Sequence, residues 1–127
     1  GKWYFLETSS RVGGAHIPDL VEASSGINIW REWAKIEDAL LRNKSYEVAK
    51  PTGFSAGLII ALAKELKPDY EEFECEEVVR FLQIDYHVGI VYKSDKMEMV
   101  QQRLDEAAEK INDHHLNILP QKSKPSS

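Results

Sequence analysis

Apolar positions along the chain follow two rhythms. Ile29, Trp33, Ile36 and Leu40 recur at steps of four, three and four, which gives a helix one apolar face. Asn28 is a good N-cap for it. The spacing predicts a helix over Asn28–Arg42, ended by the polar run Arg42-Asn-Lys-Ser45. The same steps return in Met97, Val100, Leu104, Ala107 and Ile111, with Ser94 placed to cap and Asp95 beside it. A shorter helix is expected over Pro18–Ser24. Pro18 and Asp19 suit a first turn, and Gly26 suits the left-handed residue that closes it.

The second rhythm has period two. Tyr86, Val88, Ile90 and Tyr92 alternate with His87, Gly89, Val91 and Lys93, so Tyr86–Lys93 reads as a strand. Val78–Leu82 and the aromatic Trp3–Glu7 read likewise, and Ser45–Lys50 and His115–Leu119 are short extended segments. Periodicity cannot decide the apolar run Gly57–Leu62. The β-branched Ile59 and Ile60, with Gly57, favour a strand. Thr8–His16 is a loop, Pro51-Thr-Gly53 and Lys67-Pro-Asp69 are turns, and the acidic stretch Asp69–Glu77 is expected to be exposed. Strands and helices do not alternate as β-α-β units. The expected fold is α+β, a mostly antiparallel sheet with helices on one side.

Composition narrows the class. At 127 residues, 43% apolar and 29% charged, the chain is long enough to bury a core without staples. Its net charge of -5 comes from scattered acids, which argues against a nucleic-acid or anionic-membrane surface. No apolar run reaches the roughly 18–20 residues of a membrane span. A single cysteine, Cys75, excludes an internal disulfide, and a cytoplasmic setting is expected. A chain that opens on an apolar strand, with no signal-peptide pattern, reads as a piece of something longer.

The chemistry concentrates in residues 5–22. On an extended chain Glu7 and Ser9 share one face, where a carboxylate and a hydroxyl can hold a hard cation such as Mg2+. Arg11 follows on that face and can pair with phosphate through its planar fork. Gly13 and Gly14 let the backbone approach a ligand, and the helix that begins near Ile17 or Pro18 adds a site that favours anions.

The order Glu7-Thr-Ser-Ser-Arg11-Val-Gly-Gly14 resembles the Glu-x-Asn-x-Arg-x-Gly-Gly segment at the end of the ATP-grasp fold. Ala15-His-Ile-Pro-Asp-Leu-Val-Glu-Ala-Ser-Ser-Gly-Ile-Asn-Ile29 is similar to the helix and follow-on of that family, especially in carboxylate–amine ligases, L-amino-acid ligases and biotin carboxylase-like enzymes. The resemblance covers residues 4–34 and is looser at Ser55-Ala-Gly57 and His87–Lys93. It implies that residues 1–42 end the catalytic region and 43–120 form a β-rich C-terminal subdomain with a closing helix; the polar, proline-containing stretch 121–127 is expected to be a disordered tail. It implies ATP and Mg2+ as cofactors, with Glu7 and Ser9 as metal-binding residues. Ser9 replaces the usual Asn and is shorter, so it would act through water. Arg11 would stabilise the transferred phosphoryl group, and Gly13 and Gly14 would shape a pocket for a small-molecule carboxylate. The implied reaction passes through an acyl phosphate that an amine then captures. The phosphate-covering loop, the lysines and the other acidic ligand of that family lie upstream of this segment. The remainder of such an enzyme is therefore the expected partner, and this chain alone is expected to be inactive.

Other residues weigh less. His16 lies in the loop, where it would touch substrate or be a plain loop histidine. His87 is expected to be structural. Adjacent His114 and His115 should diverge on a helix end, and no acid cluster supports a metal there. Acids around Cys75 disfavour a thiolate. Trp30 and Trp33 are read as core or interdomain contacts. The competing reading is a non-catalytic interaction module that uses the Trp30/Trp33 helix and the sheet. Self-association into a homodimer through exposed strand edges and apolar patches is expected of the isolated piece.

Overall fold

The computed structural model describes residues 1–5 and 11–116. Among these residues, three α-helices and three strands follow in the order α1 (Ile17–Ser25), α2 (Ile29–Leu41), β1 (Ser55–Leu62), β2 (Val78–Phe81), β3 (His87–Ser94) and α3 (Met97–Lys110). The strands form one antiparallel sheet in the order β1-β3-β2. The α+β class is therefore correct, and Gly57–Leu62 lies in β1.

Helices cover both faces of this sheet, not one. Strand side chains alternate, so Ile59 and Ala61 share a face with Val88, Ile90 and Tyr92. Leu104, Ala107 and Ile111, from α3 and the turn after it, pack on that face. Ala56, Leu58 and Val91 point the other way, where Ala23 of α1 meets them. The central strand β3 is consequently buried from Val88 to Tyr92 on both faces. The one-sided expectation fails because Val91 and Gly89, which alternate with the α3-face residues, complete a second apolar face that α1 and Leu82 cover.

An irregularity in β2 follows from the same geometry. Val78 pairs with Tyr92, yet Arg80 pairs with Val91 and Phe81 with Ile90, so Val79 is an extra, bulged residue. Side-chain direction reverses with every residue, so the bulge moves Arg80 off the α3 face, which keeps Val78 and Phe81, and onto the α1 face.

The helix ends agree with the sequence in most details. Asn28 Oδ1 accepts from the Arg31 amide at 3.0 Å. Gly26 is left-handed (φ 72°) and its N–H donates to the Glu22 carbonyl at 2.8 Å. Pro18 lies in the first turn of α1. At α3 the helix begins two residues later than a Ser94 cap requires. Lys96 holds the cap position, and Ser94 Oγ accepts from its amide at 3.3 Å.

Other expectations do not hold. Trp3–Phe5 is not a strand; all three side chains are exposed and no described strand pairs with them. Glu7, also assigned to that strand, lies outside the described residues. Ser45–Lys50 is irregular because its polar chain finds no ladder, and Tyr46 bonds Glu32 of α2 instead. Of the expected strand His115–Leu119, His115 ends a π-helical turn (Ile111–His115) and Leu116 makes one bridge to Ala63. Positions 117–119 and the tail 121–127 lie outside the described residues. The acidic stretch is not a uniformly solvated loop. It contains a 3-10 turn (Glu71–Phe73) that buries Phe73, and its Glu72 and Glu77 are ion-paired.

Among the described residues, no helix is long and apolar enough to cross a membrane. Helix α1, expected in the first of two regions, packs on the sheet of the second. It is tied to the strand's approach by Thr52 N–H to Ser25 (2.9 Å) and Phe54 N–H to Ser24 (3.0 Å).

Candidate functional site

A cavity of about 610 Å3 opens at the head of α1. Gly13 and Gly14 form part of its wall, with Ala15 and His16 at the helix start. Asp19 and Glu22 enter from α1, Arg31 and Trp30 from α2, and Arg80 from β2. The site therefore gathers three elements around the two predicted glycines. The β2 bulge is the reason a strand arginine reaches it.

Its polar groups are connected. Asp19 accepts from His16 Nδ1 at 2.9 Å and pairs through its other oxygen with Arg80. Glu22 accepts from Asn28 Nδ2 at 3.0 Å, which fixes the short link between the helices. Arg31 has no ion-pair partner among the described residues. The cavity thus carries two arginines and two carboxylates, both signs together.

The predicted anion site at the helix start is weaker than the sequence implied. The Ile17 amide already donates to the Gly14 carbonyl at 3.1 Å, and Pro18 has no amide hydrogen. Asp19 in the first turn offsets the helix dipole. The cationic capacity comes instead from Arg31 and Arg80, neither of which sequence reasoning singled out. Arg80 left one trace, a lone charge inside the apolar run Val78-Val-Arg-Phe-Leu82. Arg31 left none.

Of the other predicted residues, Glu7 and Ser9 lie outside the described residues. Arg11 is exposed, and among the described residues its guanidinium reaches only the neighbouring Val12 carbonyl, at 3.5 Å. It does not line the cavity. Ala15 and His16 both have positive φ (50° and 61°), a conformation that non-glycine residues adopt at a cost.

Elsewhere the titratable groups serve structure. His114 and His115 converge on Glu72 rather than diverging. The π turn lets His114 Nδ1 approach Glu72 Oε2 at 3.0 Å while His115 Nε2 reaches Oε1 at 2.8 Å. The bond from His115, helped by His114 and opposed by burial, holds the Glu72 carboxyl below its usual range. Among the described residues no group of three or more His, Cys, Asp or Glu is arranged to hold a metal ion. His87 bonds the Asp85 carbonyl through Nδ1 at 2.8 Å, and burial pushes the Cys75 thiol up. Trp30 and Trp33 are not core. They are 53% and 39% exposed and stack on each other with centroids 5.7 Å apart. Comparison with protein-family models, curated proteins and solved structures finds no match.

Proposed function

We propose that the chain is the C-terminal part of an ATP-dependent carboxylate ligase of the ATP-grasp type, working in the cytoplasm. The observation that carries the reading is the run Glu7–Gly14, whose acid, hydroxyl, arginine and glycine pair stand in the order that such a site uses. Gly13 and Gly14 border a cavity that also holds Arg31 and Arg80, and this supports the reading because two guanidinium groups suit a phosphate or a carboxylate. In this scheme Glu7, with Ser9 through water, holds Mg2+, and Arg11 meets the transferred phosphoryl group. Gly13 and Gly14 admit the carboxylate. ATP supplies the phosphoryl group that activates the carboxylate, and the protein's part is positioning and charge neutralisation. The other metal ligand and the phosphate lysines belong to the rest of the enzyme.

The test is Mg-ATP binding and phosphate release by the intact protein, wild type against Glu7→Gln and Arg11→Ala. Each variant is expected to lose on the order of 10²-fold or more in turnover, the effect of removing one strong electrostatic stabiliser. Full activity in both variants would overturn the roles assigned to these residues.

A second reading has its own observation. Trp30, Trp33, Leu40 and Leu41 leave a large apolar area of α2 exposed. In the ligase that area lies against the rest of the enzyme. In a non-catalytic module it would be the binding surface. An intact protein that does not bind Mg-ATP would decide for the module.

A further inference from the structure

Arg80 enters the scheme above only as a cation of the cavity, and its link through Asp19 to His16 has no role there. A carboxylate can only accept, so the 2.9 Å contact with Asp19 puts a proton on His16 Nδ1, and in the neutral ring the lone pair is then on Nε2. His16 and Asp19 both line the cavity that contains Gly13 and Gly14. Asp19 is largely buried, its side chain 19% exposed, and its second oxygen is held by Arg80 from a different element. A histidine that merely caps α1 would need no third partner delivered by a strand bulge. It would also not need the left-handed backbone at both Ala15 and His16.

We infer that His16 is the proton acceptor for the attacking amine, with Asp19 and Arg80 as positioning residues that fix its ring. The inference rests on the ligase reading. At neutral pH the amine is an ammonium without a lone pair. One of its protons passes to His16 Nε2. The freed nitrogen pair then bonds to the carbonyl carbon of the acyl phosphate. The bond from that carbon to the phosphate oxygen breaks, and phosphate leaves with the electron pair. A second amine proton goes to the departing phosphate, so the products are the amide, hydrogen phosphate and an imidazolium. That imidazolium would face Asp19 and Glu22 from α1, which favour it, and Arg31 from α2 and Arg80 from β2, which oppose it.

The experiment uses the intact protein with ATP, Mg2+ and a mixture of the twenty amino acids, with and without hydroxylamine. Hydroxylamine is unprotonated at neutral pH and captures acyl phosphates as hydroxamates without a base. In His16→Gln the ratio of amide formation to hydroxamate formation is expected to fall about 10²-fold, the lower end of what general base catalysis supplies. The conservative Asp19→Asn should lower the same ratio by a smaller factor. Nitrogen-15 NMR of the histidines provides a readout independent of turnover. His16 is expected as the Nδ1–H tautomer in the wild type, and that preference should be lost in Asp19→Asn. Equal loss of amide and hydroxamate, or a wild-type ring protonated at Nε2, would overturn the inference while leaving the ligase reading intact. Absence of any hydroxamate from the wild type would remove the ligase reading and this role with it.

Discussion

Gly89→Ala tests how the end of β2 is held against the centre of the sheet. A Cβ built on Gly89 would lie 2.9 Å from both Cβ and Cδ1 of Leu82, and 3.2 Å from its Cγ. Carbon pairs are comfortable at about 3.5–4.0 Å, so the overlap is at least half an ångström. A rotamer change moves Leu82 Cδ1 but not its Cβ, which the backbone fixes. Relief therefore requires the Leu82 backbone to retreat. That backbone donates to the Gly89 carbonyl at 2.8 Å, and the Gly89 amide donates to the Tyr70 hydroxyl at 3.1 Å. Overpacking of a tight site costs roughly 1–3 kcal/mol, and a weakened hydrogen bond adds about 1 kcal/mol. Against this, alanine restricts the unfolded chain more than glycine and returns roughly 0.4–1 kcal/mol. The net expectation is a loss of about 1–3 kcal/mol. It would be read as a lower urea midpoint by far-UV circular dichroism with the slope unchanged. Leu82→Gly in the same chain removes the clashing Cβ together with Cγ and Cδ1, so the double variant should be more stable than the sum of the two losses predicts. A Gly89→Ala protein as stable as the wild type, or strictly additive losses in the double variant, would refute the argument.

Tyr70→Phe should cost about 1–2 kcal/mol in the same assay, because its hydroxyl donates to the Leu82 carbonyl at 2.9 Å and accepts from the Gly89 amide. Acid stability should track Glu72 and Glu77, whose carboxyls are held below their usual value of 4.5, Glu72 chiefly by its bond from His115 and Glu77 chiefly by its bond from Arg103. Lowered folded values mean that the unfolded chain binds more protons on acidification. Their contribution is present above pH 4.5 and lost as pH falls through the lower folded values, and Arg103→Met should flatten that limb of a pH–stability curve. Cys75, raised mainly by burial, should react with a disulfide reagent at neutral pH more slowly than a free thiol, and acceleration in mild urea would locate the barrier in burial.

What could be read from the sequence was whatever local chemistry decides. The three- and four-residue steps of α2 and α3 are visible because a helix imposes them, and Asn28 and Gly26 act within their own turns. The alternation in β3 was legible for the same reason. That α1 covers the face of Val91 and Gly89 was not legible, because nothing local announces it. The bulge at Val79 leaves no local mark either. It arises because Val78 and Phe81, three residues apart, both pack on the α3 face, which unbroken alternation forbids, and that face exists only once α3 has docked. The meeting of His114 and His115 at Glu72 depends on a π turn, whereas the expectation of divergence assumed α-helical geometry. For the candidate site, Gly13, Gly14 and His16 could be found in one segment of sequence. Arg31 and Arg80 could not, because their place there depends on tertiary packing.

The extra residue in β2 also changes how length variation in this region can be tolerated. Deleting Val79 would restore an unbroken ladder, because Val78–Tyr92, Arg80–Val91 and Phe81–Ile90 would then be consecutive pairs. Arg80 would keep its place on the α1 face, and the cavity at the head of α1 would keep its cation. Losing the bulge without losing a residue would do the opposite: Arg80 would fall opposite Ile90, in the apolar layer beneath α3. The identity of Val79, which is 46% exposed, and its presence are thus both loosely held. Substitution and deletion at that position should each leave the arginine of the cavity in place.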